Sequence, residues 1–348
     1  MTRLPEGPSR VTVGVDTHGE VNVAAVVNEQ GRLQATESFP TTSAGHSRLE
    51  AWALSFGTID AVGVEGTGAW GAGLARHLTA AGHRVVEVDR PDRKARHRRG
   101  KSDAIDAEAA ARAVQATTAT GSPKARSGKV EAIRALRVAR RSAIKDRSQA
   151  AHQLHSLVST APDQLRDQLR TLRLAQLVAL AARFRPGDPT NPVEATKTSL
   201  RSIARRYQHL SAEIADLDTV LEPLVTDTAP NLVALNGVGT DVAGQLLVTA
   251  GDNPHRLTSE AAFAHLCGVA PVPASSGRTH RHRLNRGGDR AANAALYRIV
   301  LCRLRWHAPT RAYAQRRTTE GLSKPEIIRC LKRYIAREAY RELTRPTP

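Results

Sequence analysis

Sulfur and aromatic side chains are scarce in this sequence: three cysteines, one methionine, and only 3% Phe, Trp and Tyr. Cys267, Cys302 and Cys330 stand far apart, with neither a CxxC pair nor Cys/His zinc spacing. That excludes a disulfide framework and a structural zinc, and leaves buried, reduced thiols in a reducing compartment. The shortage of rings argues against base stacking as the main mode of nucleic-acid binding. No apolar run reaches the ~18 residues that a membrane span needs, and the opening MTRLPEGPSR lacks the apolar centre of a signal peptide. The expectation is a protein that stays in the cytoplasm.

Acidic residues are the other shortage. Against 51 Lys and Arg stand 33 Asp and Glu, a formal net charge of +18. Such a surface attracts polyanions, nucleic acid first, and the planar fork of arginine suits phosphate better than the point charge of lysine. What the chain does have is length and apolar content: 348 residues, 41% hydrophobic, enough for two or three domains with their own cores.

VTVGVDTH and EVNVAAVVNEQG read as two β runs joined by a tight turn at Gly19 and Glu20, with RLQATESFPT as a third. Helix and strand patterns then alternate: HSRLEAWALSFG, TIDAVGVEGTG, AWGAGLARHLTAAG and HRVVEVDR. A meander followed by alternation predicts a mixed sheet covered by helices. A basic run from Arg90 to Lys101 interrupts, and SDAIDAEAAARAVQAT resumes as an alanine-rich helix capped by Ser102. TATGSPKARSG reads as a linker, and a long helical region follows, broken by RFRPGDPTNP. Two long helices separated by a break form an antiparallel hairpin or pair with another chain as a coiled coil. After Pro230 the pattern is mostly helical. The expected segments are 10–120, 127–226 and 230–345, an α/β domain followed by α regions.

Four acids sit where the chain leaves apolar elements. Asp16 ends the first strand, Glu65 closes a later one, and Asp103 and Asp106 share one face of the helix start. Each alone has a plain reading as a turn cap or as an acid near a helix N-terminus. Together, two strand ends and one helix can converge above a sheet, and clustered carboxylates call for cations; hard divalent ions with oxygen ligands meet that need. Two Mg2+ ions roughly 3.5–4 Å apart would suit phosphoryl transfer. Farther on, LNGVGTDVAGQLLVTAGD has the form of helix, glycine hairpin and helix, which presents backbone N–H groups to a phosphate or simply turns between core helices. In CGVAPVPASSGRTHRHRLNRGGDRAANAAL a serine pair and a glycine precede arginines and histidines; on spacing alone the SSG is a turn.

VGVDTH, VGVEGTG, the basic run and KSDAIDAEAAARA resemble the DEDD-type, RuvC-like N-terminal domain of insertion-sequence transposases of the one-ten family, over nearly all of 11–115. That resemblance implies an RNase H-like fold with Asp16, Glu65, Asp103 and Asp106 as metal-binding catalytic acids. The serine segment is similar to the family's C-terminal domain, which implies Ser276 as the DNA nucleophile and a covalent phosphoserine link. It further implies a composite active site in a homo-oligomer, dimer or tetramer, on DNA at the nucleoid, and a noncoding guide RNA. The nucleic-acid contacts are expected from Arg93, Lys94, Arg96, Arg98, Arg99 and Lys101, and from Arg278, Arg281, Arg283 and Arg286 beside Ser276. Gly19 departs from the family pattern, where many members carry lysine. The alternatives are a Holliday-junction resolvase or RNase H-like nuclease using the acids and water alone, an actin-like ATPase, for which no second phosphate loop is evident, and a noncatalytic nucleic-acid binder.

Overall fold

The computed structural model describes residues 9–88, 102–278 and 282–345. They belong to two compact units, Met1–Gly128 with Ala250–Phe263, and Lys129–Thr249 with Ala264–Pro348. The helical middle and the C-terminal segment thus share one unit, and residues 250–263 join the other.

The first unit is a five-stranded mixed sheet. Strands β1 (Arg10–Thr17), β2 (Val21–Asn28) and β3 (Leu33–Pro40) form the antiparallel meander, and β4 (Thr58–Glu65) and β5 (Val85–Val88) add in parallel beside β1, giving the order β3-β2-β1-β4-β5. Alternation along β1 sends Val11, Val13 and Val15 to one face, where they pack with Leu49 of α1 (Ser43–Leu54) and Leu74 and Leu78 of α2 (Ala72–Ala80). Thr12, Gly14 and Asp16 take the opposite face.

That opposite face carries α3 (Asp103–Gln115), whose N-cap Ser102 accepts a bond from the Ile105 amide at 3.4 Å. Two glycines seat it. A methyl at Gly14 would lie 2.1 Å from the Ala107 carbonyl oxygen and 2.2 Å from the Ala111 nitrogen. Gly63, in register with Gly14 on the neighbouring strand, would meet Val114 and the Ala110 carbonyl at 2.7 and 2.9 Å. Only side-chain-free backbone at these two positions lets an alanine-rich helix lie this close to the sheet.

The stretch expected as a linker is held within this unit. The Glu87 amide bonds the Gly121 carbonyl at 2.7 Å. Asn253 accepts from the Ala125 amide and donates to the Pro123 carbonyl, both at 3.0 Å, and Arg256 reaches the Ser122 carbonyl at 3.3 Å.

In the second unit, α4 (Lys129–Ser159) and α7 (Pro192–Thr228) lie antiparallel. Their direction follows from the pairs Lys129 with Asp227, Arg140 with Asp218, and Gln153 with Arg206. At the far end of the hairpin, α5 (Asp163–Leu169) and α6 (Leu174–Ala181) close an apolar cluster with Leu154, Leu200 and Ala204. Then come α8 (Pro230–Val233), α9 (Thr240–Ala250, its last residue counted with the first unit), α10 (Glu260–Leu266), a two-stranded ribbon of β6 (Val272–Pro273) and β7 (His282–Arg283), and α11 (Arg290–Trp306), α12 (Ala308–Thr319) and α13 (Lys324–Thr344). The ribbon was not expected from sequence. No helix among the described residues is long and apolar enough to cross a membrane.

Candidate active site

Asp16 is two residues beyond Gly14 on β1, so the strand period places it on the face that α3 covers. Its side chain is buried. Asp103 and Asp106 lie in the first turn of α3, the former half exposed and the latter buried. Glu65 ends β4 two residues after Gly63 and therefore shares that face; it is half-buried. The glycine seats thus fix the helix start against the strand ends that carry the other two acids.

Burial pushes the Asp16 carboxyl above its usual range. His18 pulls it back, while Asp103 and Asp106 add like-charge repulsion. A cluster with these couplings is stabilised by positive charge, and its oxygen donors match a hard divalent cation. The residues present therefore fit the divalent ion that a DEDD-type site implies.

Sequence reasoning did not single out His18. Its Nε2 stands 3.1 Å from Asp16 Oδ2 and 3.5 Å from Asp103 Oδ1. Asp16, His18 and Asp103 offer ligand atoms that all lie within 4.8 Å of one another. The signal available in the sequence was a D-x-H spacing at a strand end, where the i and i+2 side chains share a face.

Gly19 follows. A Cβ there would meet the ring of Trp70 at an ordinary 3.6 Å, so among the described residues nothing at this position demands glycine. Trp70 itself, in the glycine-rich loop after Glu65, is 62% exposed.

Ser276 lies in the second unit, in the loop of the β6–β7 ribbon, exposed and followed by Gly277 with φ of +53°. The ribbon's base is pinned. A Cβ on Gly288 would sit 2.2 Å from the Gly268 nitrogen, the Asp289 amide bonds the Leu266 carbonyl at 2.7 Å, and Asn293 donates to the carbonyls of Cys267 and Gly268. Asp289 then caps α11 through the amides of Ala291 and Ala292. Arg278, Arg283 and Arg286 are exposed on or beside this ribbon. Arg281, and the run of Arg93, Lys94, Arg96, Arg98, Arg99 and Lys101, lie outside the described residues.

The glycine hairpin forms as expected: α8, Gly237 with φ of +76°, then α9. The first turn of α9 carries Asp241. Asp241 accepts from Arg137 at 2.8 Å, Arg298 at 2.6 Å and Arg140 at 3.3 Å. Burial opposes the Asp241 charge, but Arg137 and Arg298 outweigh it and hold the carboxyl below its usual range. Two arginines of the long helices, Arg137 and Arg140, are thus engaged within the chain.

Two family models match this chain. A DEDD-type model described as a transposase matches residues 13–161, and one described as the transposase IS116/IS110/IS902 family matches 229–315. Among curated proteins, the chain is 27% identical to an insertion element IS900 uncharacterized 42 kDa protein of Mycobacterium paratuberculosis, over 39% of this chain and 35% of that protein. It is 31% identical to an insertion element IS110 uncharacterized 43.6 kDa protein of Streptomyces coelicolor, over 40% of this chain and 34% of that protein. The aligned stretch is therefore about a third of the length of these relatives.

Proposed function

Because the chain belongs to the IS110 family of transposases, we propose that it cuts and rejoins DNA strands to mobilise an insertion element. The observation that carries this reading is the convergence of Asp16 and Asp103 at the end of β1, with Asp106 near enough to add its repulsion to Asp16. Such a carboxylate cluster serves phosphoryl transfer, and the basic surface supplies the affinity for its polyanionic substrate.

Asp16, Glu65, Asp103 and Asp106 would hold divalent metal, Mg2+ in this reading. When bound, the metal supplies charge stabilisation to phosphoryl oxygens. Ser276 is the nucleophile: its Oγ loses a proton and bonds to phosphorus, and the bond from phosphorus to the departing strand oxygen breaks, that oxygen taking up a proton. The phosphoserine ester keeps the bond energy, so a second strand end can reverse the step and regenerate the serine without ATP. Arg278, Arg283 and Arg286, exposed near that loop, would bind the phosphates flanking the cut. The acids and Ser276 lie in different units, and the active site is assembled in an oligomer on DNA, with a guide RNA choosing the target.

The experiment is strand exchange between plasmids carrying element ends, with Mg2+, using Ser276→Ala and Asp103→Ala. Ser276→Ala is expected to abolish recombination and the covalent protein–DNA adduct. Full recombination by Ser276→Ala would overturn the serine mechanism, and cleavage without an adduct would favour a metal-dependent nuclease using water.

A further inference from the structure

The acidic site is not built of carboxylates alone, and the side chain that breaks the pattern is His18. The ring is not a loose surface group: the β1–β2 turn holds its backbone, with the His18 amide on the Val21 carbonyl and the Thr41 hydroxyl on the His18 carbonyl, both at 3.1 Å. Asp16 and His18 are i and i+2 at the end of an extended strand, so both project toward the start of α3. There Nε2 meets Asp16 Oδ2 at 3.1 Å and Asp103 Oδ1 at 3.5 Å. For metal–ligand distances of about 2.0–2.2 Å, adjacent corners of an octahedron stand about 2.8–3.1 Å apart. The two distances from Nε2 are close to such an edge, and the two carboxylate oxygens lie within 4.8 Å of each other, near enough for all three atoms to close on one cation. The side chain is 48% exposed, so solvent ions reach it.

We propose that His18 is itself a ligand of the divalent cation, sharing it with Asp16 and Asp103 through Nε2. The inference rests on the metal-dependent reading above and goes beyond it by assigning a mixed nitrogen and oxygen donor set. An imidazole donor draws a site away from Mg2+, which prefers oxygen and water, and toward first-row divalent ions. The site should therefore favour Mn2+ over Mg2+ more strongly than a purely carboxylate site does.

The test uses the full chain without nucleic acid and Mn2+ as the probe. Pulsed electron paramagnetic resonance detects a 14N nucleus bonded to Mn2+, and titration gives affinities for Mn2+ and, by competition, Mg2+. The expected result is imidazole-type 14N coupling in the parent that vanishes in His18→Ala and in His18→Gln. The Mn2+ dissociation constant should rise about tenfold or more and the Mg2+ constant much less. Melting temperatures of both variants without metal show whether they fold, and the parent spectrum alone decides if they do not. Saturable Mn2+ binding lost in Asp103→Ala but lacking 14N coupling would overturn the role of His18 and leave the metal site standing. Coupling that persists in both His18 variants would do the same. No saturable Mn2+ binding by the parent would overturn the metal reading as well.

Discussion

At Asp16 a carboxylate is held out of water beside two others, so its protonation is linked to folding. Its carboxyl titrates higher in the folded chain than its ordinary value of 3.8. The folded state therefore keeps a proton that the unfolded chain releases; this stabilisation is complete below that ordinary value and is lost as pH rises through the folded one. At neutral pH the ionised Asp16 is a net cost in the metal-free protein. Asp16→Asn removes the charge and should raise the metal-free melting temperature by about 2 °C, on the scale of roughly 1 kcal/mol in a protein this size. The same variant should lose the stabilisation that Mn2+ gives the parent. Calorimetry at pH 7 with and without Mn2+ checks both, and a lower metal-free melting temperature would mean that His18 already compensates the charge.

At the scale of elements, the contact between sheet and helix is set by Gly14 and Gly63. Gly14→Ala places a methyl against helix backbone, which cannot swing away as a side chain would. The expected cost is about 2–3 kcal/mol from overpacking, together with weaker Mn2+ binding because the α3 start shifts from Asp16. A chemical-denaturation midpoint and a Mn2+ titration measure the two effects; an unchanged midpoint would show that the helix can lift freely. In the other unit, Asp241→Asn leaves Arg137, Arg140 and Arg298 around a neutral amide. The expected loss is about 2–3 kcal/mol, read from urea unfolding at pH 7. Since the Asp241 carboxyl is held below its usual range, its contribution is present above the ordinary value of 3.8 and fades as pH falls through the lower folded value. Parent and variant should therefore converge in acid.

These elements also show what could be read in advance. The valine alternation of β1, β2 and β4, and Ser102 before α3, are local patterns, and local patterns are legible in sequence. The four acids stand out in the sequence because two lie at strand ends and two open a helix. His18 was passed over because its one signal, the two-residue spacing from Asp16, counts only if the strand's alternation carries on past its end at Thr17. The Asp241 cluster was hidden for another reason: Arg137 lies 104 residues from Asp241, and tertiary packing alone joins them. The ribbon that carries Ser276 has strands of two residues each, too short for an alternation to register.

For the whole molecule, the net charge of +18 outlives the internal ion pairs. Binding to nucleic acid should weaken steeply with salt, and five or more phosphate contacts would give a slope of about −4.5 or steeper in log affinity against log salt. Fluorescence anisotropy with labelled duplex DNA at several salt concentrations tests this, and a flat dependence would remove phosphate contact as the source of affinity. The return of residues 250–263 to the first unit bears on how the chain matures. Asn253 and Arg256 clasp Ser122, Pro123 and Ala125 from 128 to 134 residues downstream. A ribosome that has released only the sheet and α3 has not yet made the clasp, which closes after the whole helical hairpin has been synthesised. The unit bearing the acids is therefore begun first and finished late, its last contacts waiting on residues made after the other unit's long helices.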